Sequence, residues 1–193
     1  MIMNGPDSGS RVIGITGMPG SGKGGACIEA REIGIPVRSM GDVVRSFFAS
    51  GCPGRDPKET GRFADEERKR FGKDIWALRL IEEVEELISR GEKLVIIDGV
   101  RSSFEVDVFK TRWGDGFSIL SVHSSPRTRF HRLLNRGRSD DPGTREEFDE
   151  RDDREIGWGL GDVIARADIM MVNESGMHEL KKDFKELLEG MME

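Results

Sequence analysis

Residues 17 to 24 read Gly17-Met18-Pro19-Gly20-Ser21-Gly22-Lys23-Gly24, with the spacing G-x-x-x-x-G-K. That spacing suits a phosphate. The glycines let backbone N–H groups converge on phosphate oxygens, the start of a helix adds positive partial charge, and Lys23 brings a mobile full charge. Gly22, Gly24 and Gly25 would each cost a helix about 1 kcal/mol relative to alanine, so something must require the missing side chains. Gly24 occupies the position from which a Ser or Thr hydroxyl usually reaches Mg²⁺. The metal would therefore depend on phosphates, water and other carboxylates.

A second chemical signal is the arginine distribution. Ten arginines and no lysine lie between Lys110 and Lys181. The rigid guanidinium fork makes bidentate contacts with phosphate oxygens, but also with carboxylates in ordinary ion pairs. Arg129, Arg132 and Arg136 are spaced three and four apart, on one helical face that calls for an anion, leaving Phe130, Leu133 and Leu134 for the core. The formal net charge of −6 argues against general affinity for nucleic acid, so any phosphate binding must be local.

Three further segments carry candidates. In Ser39-Met40-Gly41-Asp42-Val43-Val44-Arg45, Asp42 and Arg45 fall one turn apart at a helix start, where a plain ion pair would contribute ~0.3 kcal/mol. Asp98, in Asp98-Gly99-Val100-Arg101, closes a run of four aliphatics, where packing gives no reason for an acid. Thr144-Arg145-Glu146-Glu147 has the pattern of a capping box, and its helix carries Arg151 and Arg154 at i, i+4 spacing from Glu147 and Glu150. No His, Cys or Ser constellation for nucleophilic catalysis appears, and the three histidines read as structural.

These residues need a frame. Short apolar runs recur at Val12 to Ile15, Leu94 to Ile97, Phe117 to Val122 and Ile169 to Val172, with a weaker one around Ile35 to Val37, as in strands buried on both faces. Between them lie helical patterns: Ala77, Ile81, Val84 and Ile88 before Gly91, and Leu180, Phe184, Leu187 and Met191 at the end. Alternation of strand and helix predicts an α/β fold with a parallel sheet, whose ligands lie at the carboxyl ends of the strands. Residues 1–10, rich in Gly, Ser, Asp and Asn, read as a tail. Residues 11–193 read as one domain, with a helical insertion at 41–90. At 36% hydrophobic and 34% charged, without a run near the ~18 apolar residues of a membrane span, the composition suits a soluble protein. Cys27 and Cys52 lack a partner pattern and the first residues lack a signal-peptide pattern, which together suggest a reducing cytoplasm.

The Gly-Lys-Gly loop resembles that of adenylate kinases and related P-loop nucleoside monophosphate kinases. The likeness continues through the S/T-x-G-D-x-x-R segment at 39–45, through Asp98 to Arg101, which is one residue shorter than the family's D-G-F-P-R, and through Arg132 to Asp141, which looks like a short lid. The ending Ala167 to Gly176 resembles dephospho-coenzyme A kinases. Together these most resemble an archaeal adenylate-kinase-related family. The resemblance implies a three-layer P-loop fold with a five-stranded parallel sheet of order 2-3-1-4-5. It further implies ATP phosphates on residues 17 to 25, that is Gly17, Met18, Pro19, Gly20, Ser21, Gly22, Lys23, Gly24 and Gly25, the last standing where the family has Thr or Ser. The acceptor, AMP first among monophosphates, would lie on Gly41, Asp42, Arg45 and Arg101. Asp98 would order water on Mg²⁺. The lid at 136–143, hinged at Gly137 and Gly143, would bring in Arg138 beside Lys23, Arg132 and Arg151 to stabilise the transferring phosphoryl group. Two alternatives remain open on these residues: a dephospho-coenzyme A type acceptor, and a module that binds AMP or ATP without turnover.

Overall fold

The computed structural model describes residues 9–56, 59–137 and 141–192. Five strands form one fully parallel sheet: β1 (Arg11–Thr16), β2 (Val37–Ser39), β3 (Leu94–Asp98), β4 (Phe117–His123) and β5 (Ile169–Val172), in the order β2-β3-β1-β4-β5. The expected α/β class and strand order both hold. β1, β3, β4 and β5 coincide with the stronger apolar runs, whereas β2 shares only Val37 with the weaker run at Ile35 to Val37. The central strands, covered on both faces, have no need of polar alternation.

The helices divide between the faces. On one side, α1 (Lys23–Glu32) packs with α9 (Met177–Met192), where Leu180, Phe184 and Leu188 close over Ala26, Cys27 and Ala30. The other side carries α2 (Met40–Gly51), α3 (Thr60–Phe71), α4 (Ile75–Ser89), α5 (Ser103–Trp113) and α8 (Leu160–Ala165). There Trp76, Leu80 and Val84 of α4 are fully buried with Phe109 and Ile97, each contributing ~1.5–3 kcal/mol by leaving water. The 41–90 segment is therefore three helices, the last of which lies in the core layer. The remaining helices, α6 (Pro126–Arg136) and α7 (Arg145–Gly157), frame the carboxyl end of the sheet.

One strand departs from the doubly buried pattern. β5 lies at the sheet edge, and its Met170 and Val172 are 48% and 63% exposed. An apolar run alone does not reveal that its outer face lacks a covering helix. Among the described residues, no helix is long and apolar enough to cross a membrane, and Cys27 and Cys52 are both free thiols.

Candidate functional site: a phosphate loop at the carboxyl end of the sheet

The first strand ends at Thr16 and the chain turns through residues 17–22 into α1. Gly22 caps that helix at φ 112°, a left-handed conformation, and a Cβ there would fall 2.3 Å from Asn173 Nδ2, so both backbone and space demand glycine. The Ser21 carbonyl accepts from Asn173 Nδ2 at 2.8 Å, Ser124 Oγ at 3.1 Å and Arg132 Nη1 at 3.4 Å. Because the peptide is planar and trans, fixing that carbonyl aims the Gly22 N–H in the opposite direction. Among the described residues, no backbone carbonyl takes the N–H groups of Gly22, Lys23 or Gly24, which are the orphan donors an anion uses.

Lys23 folds back over the loop, donating to the Gly17 carbonyl and, at 3.2 Å, to that of Met18. Burial and then the Arg101 guanidinium lower its pKa to about 8, while Asp98 and Glu155 pull in the other direction. Lys23, Asp98, Arg101 and Glu155 are thus electrostatic neighbours. Burial pushes the Cys27 thiol up, and the Asp98 carboxylate, which accepts its hydrogen bond, adds to the shift. That thiol stays protonated and unreactive.

The β3–α5 connection is held from two sides. The N–H groups of Gly99 and Val100 both reach the Ile15 carbonyl, at 3.0 and 3.2 Å, and Thr16 Oγ1 donates to the Val100 carbonyl at 2.7 Å. Glu105 then accepts from the backbone N–H of Arg101 at 2.8 Å and of Ser102 at 3.2 Å, in a capping box with the Ser102 hydroxyl. Glu105 is buried, which raises its pKa against those hydrogen bonds. The Arg101 side chain is left half exposed, its Nε 3.9 Å from Glu155, whose buried Oε2 has no hydrogen-bond partner.

The arginines of α6 differ from expectation. Arg129 is 3% exposed, not on an open anion-binding face: it makes a bidentate pair with Asp152, at 2.8 Å through Nη1, and also donates to the Pro19 carbonyl at 3.2 Å. Leu134, expected in the core, is exposed, and Arg129 and Leu133 form the buried stripe instead. Arg132 commits three of its five donors to Ser124 Oγ (2.9 Å), Asn173 Oδ1 (3.1 Å) and Ser21 O. Arg136 pairs with Asp141, and Arg151 lies 3.6 Å from the same carboxylate. Arg138 lies outside the described residues. The Thr144 hydroxyl caps α7 as its sequence pattern implies, accepting from Glu147 N at 3.2 Å, but Glu147 reaches one residue further back, to Gly143 N at 2.7 Å.

At the exposed start of α2, Arg45 pairs with Asp42, with its guanidinium over Gly41. Two glycines of the loop have different surroundings. At Gly24 a Cβ would meet nothing within 4 Å, whereas at Gly25 it would lie 1.7 Å from Met177 Cε. The side chain missing at Gly25 is thus replaced in space by a methionine from α9. Residue type and spacing did not single out Ser124, Asn173, Met177, Glu105 or Glu155. Ser124 and Asn173 lie just beyond β4 and β5, where the carboxyl-end rule points, and Ser102-x-x-Glu105 carries the capping-box pattern.

A family model described as an AAA domain matches residues 16–149. A UPF0200 protein of Pyrococcus furiosus is 40% identical over 90% of this chain and 94% of its own length, and one from Methanopyrus kandleri is 47% identical over 84% and 81%. The chain belongs to the UPF0200 family. Among solved structures, TT1252 from Thermus thermophilus superposes on this UPF0200 chain with a TM-score of 0.65 at 22% identity, covering 94% of this chain and 97% of that one. Shikimate kinase from Aquifex aeolicus gives 0.51 at 18% identity, covering 93% and 96%. The fold of this UPF0200 protein is the α/β P-loop kinase fold.

Proposed function

We propose that this protein is a cytoplasmic phosphotransferase that moves the γ-phosphate of Mg²⁺-ATP to a nucleoside monophosphate, with AMP the first choice. The observation that carries this reading is the convergence of two cations from different elements. Lys23 of the phosphate loop and Arg101 of the β3–α5 connection act on one another electrostatically, so donor and acceptor phosphates held by them would lie close together.

Phosphoryl transfer asks little covalent chemistry of a protein; it asks for alignment and for neutralisation of spreading charge. The free N–H groups of Gly22, Lys23 and Gly24 would hold the donor phosphates, with Lys23 leaving its two carbonyls to follow the γ-phosphate. The residues also fit a metal: the space at Gly24 is open, and Asp98, partly exposed at the end of β3, would order water on Mg²⁺ held by the phosphates. When bound, that ion would neutralise phosphate charge. Arg101 would hold the acceptor, whose phosphate oxygen attacks the γ-phosphorus while ADP leaves; Arg45, which the resemblance also assigns to the acceptor, is paired with Asp42. Arg132, through its remaining donors, with Arg151 and the lid residue Arg138, would close over the transferring group, and residues 136–143 would exclude water.

The test is incubation with Mg²⁺-ATP and, separately, AMP, CMP, UMP, GMP, dTMP and dephospho-coenzyme A, measuring ADP and phosphorylated acceptor against Lys23→Ala. Acceptor-dependent product that disappears in the variant is expected, with AMP the best acceptor. Product from dephospho-coenzyme A alone would replace the monophosphate. Saturable nucleotide binding without product would turn the protein into a non-catalytic nucleotide-binding module.

A further inference from the structure

Between α3, the start of α5 and the turn from α7 to α8 lies a cleft of about 360 Å³, within the size range of small-molecule sites. Arg101 is part of its lining, so the cleft includes the charge that acts on Lys23. Its walls carry four cations, Arg68, Lys69, Lys73 and Arg101, against two acids. These cations are not equivalent. Arg68 is held 3.1 Å from Asp65 and 3.9 Å from Glu105, and Lys73 sits 4.9 Å over the ring of Phe104. Lys69 is exposed and makes no ion pair among the described residues, and Arg101 has only its loose contact with Glu155.

The remaining wall is aromatic. Of the three tryptophans, Trp76 and Trp113 are buried in the core, whereas Trp158 is 36% exposed and lines the cleft. An exposed indole beside two incompletely paired cations suits a ligand with a flat ring at one end and an anion at the other. Asp65 adds a carboxylate able to accept from a sugar hydroxyl. Arg45 does not line this cleft; it is spent on Asp42 across an exposed helix start.

We propose that this cleft is the acceptor chamber: it takes an aromatic nucleoside monophosphate with its base on Trp158 and its phosphate on Arg101 and Lys69, and Arg45 is not an anchor. The assignment rests on the phosphotransferase reading and sharpens it, replacing one of the two acceptor arginines that the resemblance implies by groups of α3 and of the α7–α8 turn. Ring and phosphate are bound at opposite ends, so a phosphate without a base is a poor ligand for the cleft.

Titration calorimetry and tryptophan emission, both free of turnover, test it with AMP, ribose 5-phosphate and inorganic phosphate as probes. AMP should quench the emission of the wild type but not of Trp158→Phe. Its Kd should rise about tenfold in Trp158→Ala and in Lys69→Glu, both changes at exposed side chains that leave the core intact, and stay within twofold in Arg45→Ala. Ribose 5-phosphate should bind at least tenfold more weakly than AMP. An AMP affinity unchanged in Trp158→Ala and Lys69→Glu but lost in Arg45→Ala overturns the assignment, and so does absence of AMP binding at millimolar concentration. Transfer to AMP that ignores the cleft variants would leave the kinase reading standing without this chamber. AMP binding that obeys them, with no transfer, would leave the chamber standing without the kinase.

Discussion

The two flanks of the phosphate loop use the same side chain for opposite ends. On the α6 flank, Arg129 and Arg132 are absorbed by their own chain: one is buried against Asp152, the other spread over Ser124, Asn173 and the Ser21 carbonyl. Toward α3, Arg101 is half exposed and loosely paired, and Lys69 is exposed and makes no ion pair among the described residues. The first flank braces the 17–22 loop through its carbonyls; the second leaves cations open to solvent. Arginine spacing alone does not distinguish the two, because what decides is whether a carboxylate or carbonyl from another element already faces the guanidinium.

The strongest way to break this contrast is to remove a scaffold arginine and ask whether stability or ligand binding suffers. Arg129→Ala leaves Asp152 as a largely buried, uncompensated charge and frees the Pro19 carbonyl, so it should lower the unfolding free energy by about 3–5 kcal/mol in denaturant titration. Arg129→Lys should recover only part of this, since an ammonium cannot repeat the bidentate pair. A loss below about 1 kcal/mol would mean that the pair is not scaffold.

Lys23 lies where the two flanks meet, and Lys23→Ala should reduce transfer on the order of 10²–10³-fold, with a small effect on the melting temperature. Its pH dependence gives a sharper test. With a pKa lowered to about 8 in the free protein, Lys23 is charged below that pH whether or not ATP is bound, so its contribution to affinity is constant there. Bound phosphates raise its pKa. Above pH 8 binding must therefore take up a proton, and affinity should fall as pH rises, by at most tenfold per unit. Calorimetry at pH 9 in buffers of different ionisation enthalpy should show proton uptake that disappears in Lys23→Ala; equal heats in both buffers would refute the assignment of the shift.

Gly25 separates fold from function in the donor loop. A Cβ there would collide with Met177 Cε but would gain about 1 kcal/mol of helix propensity if the methionine yielded. Gly25→Ala should therefore be neutral to mildly destabilising alone and stabilising by about 1 kcal/mol in a Met177→Ala background, a coupling of about 1–2 kcal/mol in a double-mutant cycle. Additive effects would show that Met177 does not fill that space.

Such pairings mark the limit of what the chain sequence discloses. The strands were legible because each apolar run is short and is punctuated by glycine or a helix cap. The loop at 17–25 stood out because glycines that cost a helix stability need a reason, and Asp98 and Arg101 because one ends a strand and the other lies in the connection that follows it. The partners were not legible. Asp152 lies 23 positions from Arg129 and Asn173 lies 152 from Ser21, and no local pattern joins them. Leu134 looked buried because periodicity gives the stripe without its centre. Trp158 carries no local signal, because the cleft it lines exists only after α3, α5 and the end of α7 have packed.

The smallest expected effect concerns Arg45, on which the resemblance and the observed geometry disagree most. Its only described ion-pair partner is Asp42, three residues away, and both side chains are more than 60% exposed (62% and 67%). An exposed i, i+3 pair contributes ~0.3 kcal/mol and is screened by salt, so Arg45→Ala should be barely detectable in a thermal melt and less so in high salt. If Arg45 is only this pair, KM for the acceptor should also stay within about twofold, while Lys69→Glu raises it about tenfold. If α2 instead swings inward when the acceptor arrives, breaking the weak Asp42 pair costs almost nothing, and the loss in Arg45→Ala would appear in KM with the melting temperature unchanged. Measuring both in one preparation separates a surface ion pair from an anchor held in reserve.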